Sequence, residues 1–171
     1  MENEPTLLIE RSKQGDTQAF SQLYSLYAED LFRFAVYMTG TKEDAEDAVQ
    51  EAVFSAWRNI HTLKEPALFK QWMFKILSNR CKTDLMKKNK RPDVLPVEDY
   101  NFLIGGEDFS FDSTELKEAL SSLTPPDGQI IMLSVIGGFK SHELSDIFNM
   151  PAATVRSRQK RALEKLKTVL S

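Results

Sequence analysis

The sequence predicts an all-α chain of two small helical domains joined by a flexible acidic linker, and three observations carry that expectation. Apolar residues recur at spacings of three and four through residues 1–91 and again through 114–171, the pattern of helices that bury one face. Between them, residues 92–113 (PDVLPVEDYNFLIGGEDFSFDS) hold no sustained period and contain Pro92, Pro96, Gly105 and Gly106. Charge follows the same division: residues 1–91 carry 14 basic and 13 acidic groups, 92–118 carry 1 and 8, and 119–171 carry 7 and 4. An acidic, breaker-rich stretch between two periodic ones behaves as a tether.

A short helix is expected over Thr6 to Lys13, with a break at Gly15-Asp16. A second helix carries Phe20, Leu23, Tyr24 and Tyr27, and a third carries Leu31, Phe32, Phe34, Ala35 and Met38, ending at Thr39-Gly40. These spacings describe packing and assign no chemistry. Thr41 then opens a capping box with Asp44, and the long helix that follows puts Ala45, Ala48, Val49, Ala52, Val53, Ala56 and Trp57 on one stripe. Asp44, Asp47, Gln50 and Glu51 fall on the other face, which by periodicity alone is a solvated surface. His61 to Gln71 reads as a loop broken by Pro66. Phe69, Trp72, Met73, Ile76 and Leu77 form the core face of the next helix, so Trp72 is expected in packing rather than as a stacking platform.

That helix is strongly basic, with nine Lys or Arg against two acids from Lys64 to Arg91. Cations can track phosphates while an amide such as Asn79 reads an extruded base edge, a combination suited to single-stranded nucleic acid. Beyond the linker, Leu116, Ala119, Leu120 and Leu123 return to core spacing. Thr124, Pro125 and Asp127 supply an N-cap, a first-position proline and a first-turn acid for a helix that Gly137-Gly138 ends. Gly128 lies inside it, although glycine costs a helix interior roughly 1 kcal/mol relative to alanine.

Two short helical patterns then meet at a tight turn. Ser141 is placed as an N-cap, Leu144, Ile147 and Phe148 face inward, and Asn149 and Pro151 separate this helix from the next. Val155, Ala162, Leu163, Leu166 and Leu170 make an inward stripe in the last helix, and Arg156, Ser157, Lys160 and Arg161 fall largely elsewhere. Six Lys or Arg against one Glu lie between Pro151 and Ser171. This is a helix-turn-helix of winged-helix-like class with a basic second helix. Such a helix fits the DNA major groove, where Arg reads guanine bidentately and Ser contacts several bases.

The chain has 171 residues, 42% of them hydrophobic, and a formal net charge of −3, which argues against nonspecific coating of DNA. A single cysteine, Cys81, rules out an intramolecular disulfide or a cysteine-rich zinc site and fits a reducing compartment. No apolar run reaches the roughly 18 residues of a membrane span, and the first residues are acidic where a signal peptide would be basic. Cytoplasmic location without membrane insertion is expected. His61 and His142 are far apart, no metal-ligand spacing occurs, and the acidic clusters lie on helix surfaces; no catalytic residue, cofactor or metal is expected.

Three stretches resemble one family, in order. PAATVRSRQKRALEKL is similar to the end of the fourth conserved region of bacterial sigma factors, especially the small extracytoplasmic-function group; DAEDAVQE resembles its second region, and FKQWMFKILSNRCKTDLMKKNKR the segment that opens and reads the minus-ten promoter element. The resemblance implies an RNA polymerase sigma factor, with core RNA polymerase and promoter DNA as partners. Residues 1–91 would form the region 2 domain, 92–113 the linker and 114–171 the region 4 domain. It implies that Asp44, Asp47, Gln50 and Glu51 dock on a coiled coil of the β′ subunit, that the β flap is a further polymerase contact, and that an anti-sigma factor is a candidate partner. Lys75, Asn79, Arg80, Lys82, Thr83 and Lys87 would bind the minus-ten strand, with Thr83 standing where the family usually has Asp or Asn. Thr154, Arg156, Ser157, Arg158, Lys160 and Arg161 would bind the minus-thirty-five duplex. Gly128 stands where the family often has Arg or another helix former. The competing reading is a repressor or activator acting without polymerase, which would leave the basic helix and the DAEDAVQE face without a role. The charge layout further predicts a free chain that binds promoters poorly, because the acidic tether or the partner domain competes with phosphates.

Overall fold

The computed structural model describes residues 4–88 and 113–170, and every regular element among them is helical. The N-terminal domain contains α1 (Glu4–Lys13), α2 (Thr17–Ser25), α3 (Ala28–Thr39), α4 (Lys42–Asn59) and α5 (Phe69–Lys87). The C-terminal domain contains α6 (Ser113–Ser121), α7 (Pro125–Ile136), α8 (Ser141–Phe148) and α9 (Ala152–Leu170). The stretch read as a linker lies outside the described residues except for Ser113, which begins α6.

Local chemistry sets the helix ends. Asp16 caps α2 by accepting from Ala19 N–H at 3.0 Å and also holds the Arg11 guanidinium at 2.7 Å; the amide bond, then the guanidinium, keeps its carboxyl below the usual range. Thr41 caps α4, its hydroxyl accepting from Asp44 N–H at 3.1 Å. α3 ends on Gly40 at φ 89°, a left-handed conformation that glycine adopts without steric cost. The segment expected as a loop to Gln71 is shorter and partly wound: it forms 3₁₀ turns at Ile60–Thr62 and Pro66–Leu68, and α5 already starts at Phe69. Gln71 is thus a buried helical residue.

α3, α4 and α5 pack on one another around Leu31, Phe34, Ala48, Ala52, Phe74 and Leu77, all essentially inaccessible to solvent. The alanines on the α4 stripe let its backbone approach α3 and α5 closely, while Phe34 and Phe74, with ring centroids 6.3 Å apart, fill the space. Burying each such aromatic contributes about 1.5–3 kcal/mol. α1 packs on α2 and on both 3₁₀ turns. In the C-terminal domain α9 packs on α6, α7 and α8, with Leu120, Ile130, Leu133, Leu144, Val155 and Ala162 between them. The inward stripe predicted for α9 is narrower than expected: Val155 and Ala162 are buried and Leu166 is half-buried, but Leu163 is 51% exposed.

The two domains are in contact. α5 packs against α8 and α3 against α7, and the buried residues of both domains form one continuous apolar cluster.

Candidate nucleic-acid interface

In the helix-turn-helix, α8 is capped by Lys140 rather than by Ser141, as the Glu143 carboxylate accepts from Lys140 N–H at 2.9 Å. Ser141 falls in the first turn instead, where its hydroxyl donates to Gln159 of α9 at 3.1 Å. Gln159 in turn donates to Ser134 of α7 at 2.7 Å, so one polar chain ties α7, α8 and α9 together. Asn149 ends α8 at φ 51°, ψ 51°, as expected of a residue that tolerates the left-handed region, and Val155 N–H reaches back to Pro151 O at 3.0 Å as the next helix starts.

This framework fixes which faces of α9 are free. Arg156, Ser157, Lys160 and Arg161 are exposed on its first turns, and Arg156, Lys160 and Arg161 have no ion-pair partner among the described residues. Arg158 differs: its guanidinium donates to Asp127 at the start of α7 at 3.0 Å, and the rest of its side chain is half-buried. Thr154 is half-buried beside it. The six residues therefore divide into four exposed ones, Arg156, Ser157, Lys160 and Arg161, and two half-buried ones, Thr154 and the ion-paired Arg158.

The minus-ten set on α5 also divides. Asn79, Arg80 and Thr83 line a groove of about 390 Å³ between α4 and α5, shared with Phe54, Arg58, Asn59 and Ile76. Thr83, exposed, donates its hydroxyl to Asn79 O at 3.0 Å, which leaves its oxygen able to accept. Arg80 pairs with Asp84 at 3.1 Å. Lys75 lies instead in a cleft of about 730 Å³ between the domains, beside Trp72 and α8. Lys82 sits 5.5 Å above the Phe148 ring of α8, and burial there pushes its ammonium below the ordinary lysine range.

Sequence reasoning missed Phe54, 57% exposed with the Arg58 guanidinium 5.5 Å from its ring centre. The signal was available: Phe54 and Arg58 lie seven and eleven residues after Asp47, on the stripe that periodicity leaves outside the core.

On α4, Asp47, Gln50 and Glu51 are exposed in one row, and Asp44 is half-buried because Lys88 donates to it. That bond, together with the surrounding carboxylates, raises the Lys88 ammonium above its ordinary range. A groove of about 370 Å³ joins all four α4 residues to Arg80, Asp84, Lys87 and Lys88, so the expected polymerase face and the rear of the expected DNA face share a border. Among the described residues no group of His, Cys, Asp and Glu could hold a metal ion, and no helix is long and apolar enough to cross a membrane.

A helix-turn-helix with a free basic second helix, joined in one chain to a domain carrying a second DNA-suited helix, is the layout of a transcription initiation factor. Residues 23–91 match Sigma-70 region 2 and residues 113–166 match Sigma-70, region 4. The RNA polymerase sigma factor SigV of Bacillus subtilis is 31% identical over 145 residues, covering 85% of this chain and 87% of that protein. The ECF RNA polymerase sigma-E factor of Escherichia coli K12 is 31% identical over 172 residues, covering 92% and 90%. Among solved structures, CnrH in complex with the cytosolic domain of CnrY matches the fold at a TM-score of 0.76 and 22% identity, covering 98% of this chain and 97% of that one. The sigma factor RpoE in complex with the anti-sigma factor NepR from Bartonella quintana matches at 0.75 and 25%, covering 90% and 98%. The chain belongs to the extracytoplasmic-function family of RNA polymerase sigma factors, which bind core polymerase and direct promoter-specific initiation.

Proposed function

We propose a division of labour among three surfaces. Arg156, Ser157, Lys160 and Arg161 of α9 read and position the minus-thirty-five duplex. Arg158 positions α9 through Asp127, and Thr154 supports the helix start. Asn79 and Thr83, with Phe54 as a platform and Arg58 as a cation, take a base of the melted minus-ten strand in the α4/α5 groove, where stacking on an aromatic face contributes about 1–3 kcal/mol per base. Lys75, Arg80, Lys82 and Lys87 supply phosphate attraction around it. Asp47, Gln50 and Glu51, flanked by Asp44, form the docking row for the β′ coiled coil. The β flap is the proposed further contact.

The observation that supports this reading is the exposure of Arg156, Lys160 and Arg161, without ion-pair partners among the described residues, on the helix that follows the Asn149 turn, the element a major groove admits in proteins of this motif. The domains divide at 1–91 and 114–171, with 92–113 as the tether. The protein completes an enzyme without being one and acts in the cytoplasm, as the absence of a spanning helix among the described residues allows. An anti-sigma factor is a proposed regulatory partner, since NepR is one for RpoE, whose fold the chain shares.

Photocrosslinking in the assembled holoenzyme on promoter DNA tests the assignment. A photoreactive residue at position 51 is expected to crosslink β′, and one at position 157 upstream duplex. Crosslinks from position 157 to polymerase alone would move the DNA face elsewhere.

A further inference from the structure

Gln159 belongs to none of the three surfaces above, yet its amide touches both helices that precede α9. Ser141 of α8 donates its hydroxyl to the amide oxygen at 3.1 Å, and the amide nitrogen donates to Ser134 of α7 at 2.7 Å. Ser134 gives its own proton to Ile130 O at 3.0 Å. Each donor along this run meets an acceptor, and the run ends on the α7 backbone, so Gln159 is fixed at both ends of its amide.

The contacts around this bridge hold α9 in place without setting its rotation. Val155 and Ala162 are buried and Leu166 half-buried against the same helices, but apolar contact supplies area without direction. Arg158 holds the start of α7 through a 3.0 Å bond to Asp127, made at the end of a long side chain that can follow a turning helix. Ser134 lies seven residues beyond Asp127 on α7, about 10 Å along its axis, so the bridge grips α7 at a separate point and α8 as well.

Rotation matters because Arg156, Ser157, Lys160 and Arg161 flank Gln159 on the exposed side of α9. A turn of about 20° sweeps a side-chain end, about 6 Å from the helix axis, through roughly 2 Å. That breaks paired hydrogen bonds to one base, whereas a flexible cation still reaches a phosphate. Binding constellations work only within about 10–20° of their productive geometry and depend on supporting hydrogen bonds to stay there.

We propose that Gln159 is a positioning residue for promoter recognition: through Ser134 and Ser141 it sets the rotation at which α9 presents Arg156, Ser157, Lys160 and Arg161 to the upstream element. The proposal rests on the α9 reading above, and it requires no contact between Gln159 and DNA.

The test uses holoenzyme assembled from core polymerase and the full chain. Wild-type holoenzyme first enriches promoter fragments from a pool randomised across the upstream element, and the enriched duplex is then titrated against one with that element scrambled, at one salt concentration. Gln159→Met keeps the length of the side chain and has neither amide group. It is expected to lower the ratio of the two affinities at least about fivefold, the low end of what one bidentate base contact discriminates, with affinity for the scrambled duplex nearly unchanged. Ser134→Ala with Ser141→Ala should lower the ratio similarly, and adding Gln159→Met to that pair should lower it no further, because all three act through one bridge. An equal loss of affinity for both duplexes would make Gln159 merely structural and overturn the proposal. So would independent, additive losses from Gln159→Met and the serine pair, or an unchanged ratio in Gln159→Met beside a lowered one in Arg156→Ala. If neither Arg156→Ala nor Gln159→Met moves the ratio, the α9 reading itself fails and the proposal falls with it.

Discussion

Arg156 and Arg158 lie two residues apart on α9, yet replacing each by alanine is expected to fail in different assays. Arg156 is exposed with no ion-pair partner among the described residues, so Arg156→Ala should change stability by less than about 0.5 kcal/mol. If it reads a base bidentately, the variant loses about 1–3 kcal/mol of affinity for the minus-thirty-five duplex, roughly a 5- to 150-fold weakening, with preference relaxed at one position. Arg158 makes the 3.0 Å bond to Asp127, whose side chain is 16% exposed. Its loss leaves a carboxylate short of a partner in a partly wet site, so the cost belongs between the near-zero value of surface pairs and the 3–5 kcal/mol of buried ones, at about 1–2 kcal/mol of stability. Urea unfolding and fluorescence anisotropy on holoenzyme with duplex variants separate the two. Were Arg158→Ala to relax base preference at unchanged stability, or Arg156→Ala to destabilise the fold while keeping preference, the division of the α9 face would be wrong.

Three further outcomes are expected. Asp47→Lys with Glu51→Lys should abolish capture of core polymerase in a pull-down while shifting the unfolding midpoint little, since both positions are exposed; full capture by the folded double variant would remove this row from the interface. Phe54→Ala should weaken binding of single-stranded minus-ten DNA by about 1–3 kcal/mol and Phe54→Trp should restore it, whereas equal loss in both variants would mean that the ring is not a stacking platform. Burial, with Asp84 nearby, pushes the Cys81 thiol up to about 12, so a thiol reagent at pH 8 should label it only in denaturant. Because the folded form holds that proton above the ordinary cysteine range, the unfolded chain loses it first, and this group's contribution to stability declines as pH rises from about 9 towards 12.

The sequence made the helices legible because their periods are strong and their ends carry recognisable chemistry at Asp16, Gly40, Thr41 and Asn149. It falls short where a side chain has a tertiary partner that no local pattern announces. Ser141 reads as a cap and instead lies in the first turn, its hydroxyl donating to Gln159, and the Arg158 bond to Asp127 of α7 has no local signal either. Leu163 reads as core, but it is 51% exposed. At the candidate site the basic character of α5 is readable from composition, but its division between an α4 groove and an α8 contact depends on how the two domains meet. Gly128 shows the same limit: its neighbour is the Tyr37 hydroxyl of α3, 2.2 Å from where a Cβ would lie, which no local pattern announces.

The most direct measurement is run-off transcription from fragmented genomic DNA with purified core polymerase, with and without the full chain. Discrete transcripts whose starts share upstream elements near positions −35 and −10, appearing only when the chain is added and lost with Asp47→Lys and Glu51→Lys, are the predicted result. Specific DNA binding without polymerase, accompanied by no new transcript, would contradict it and favour a regulator that acts alone.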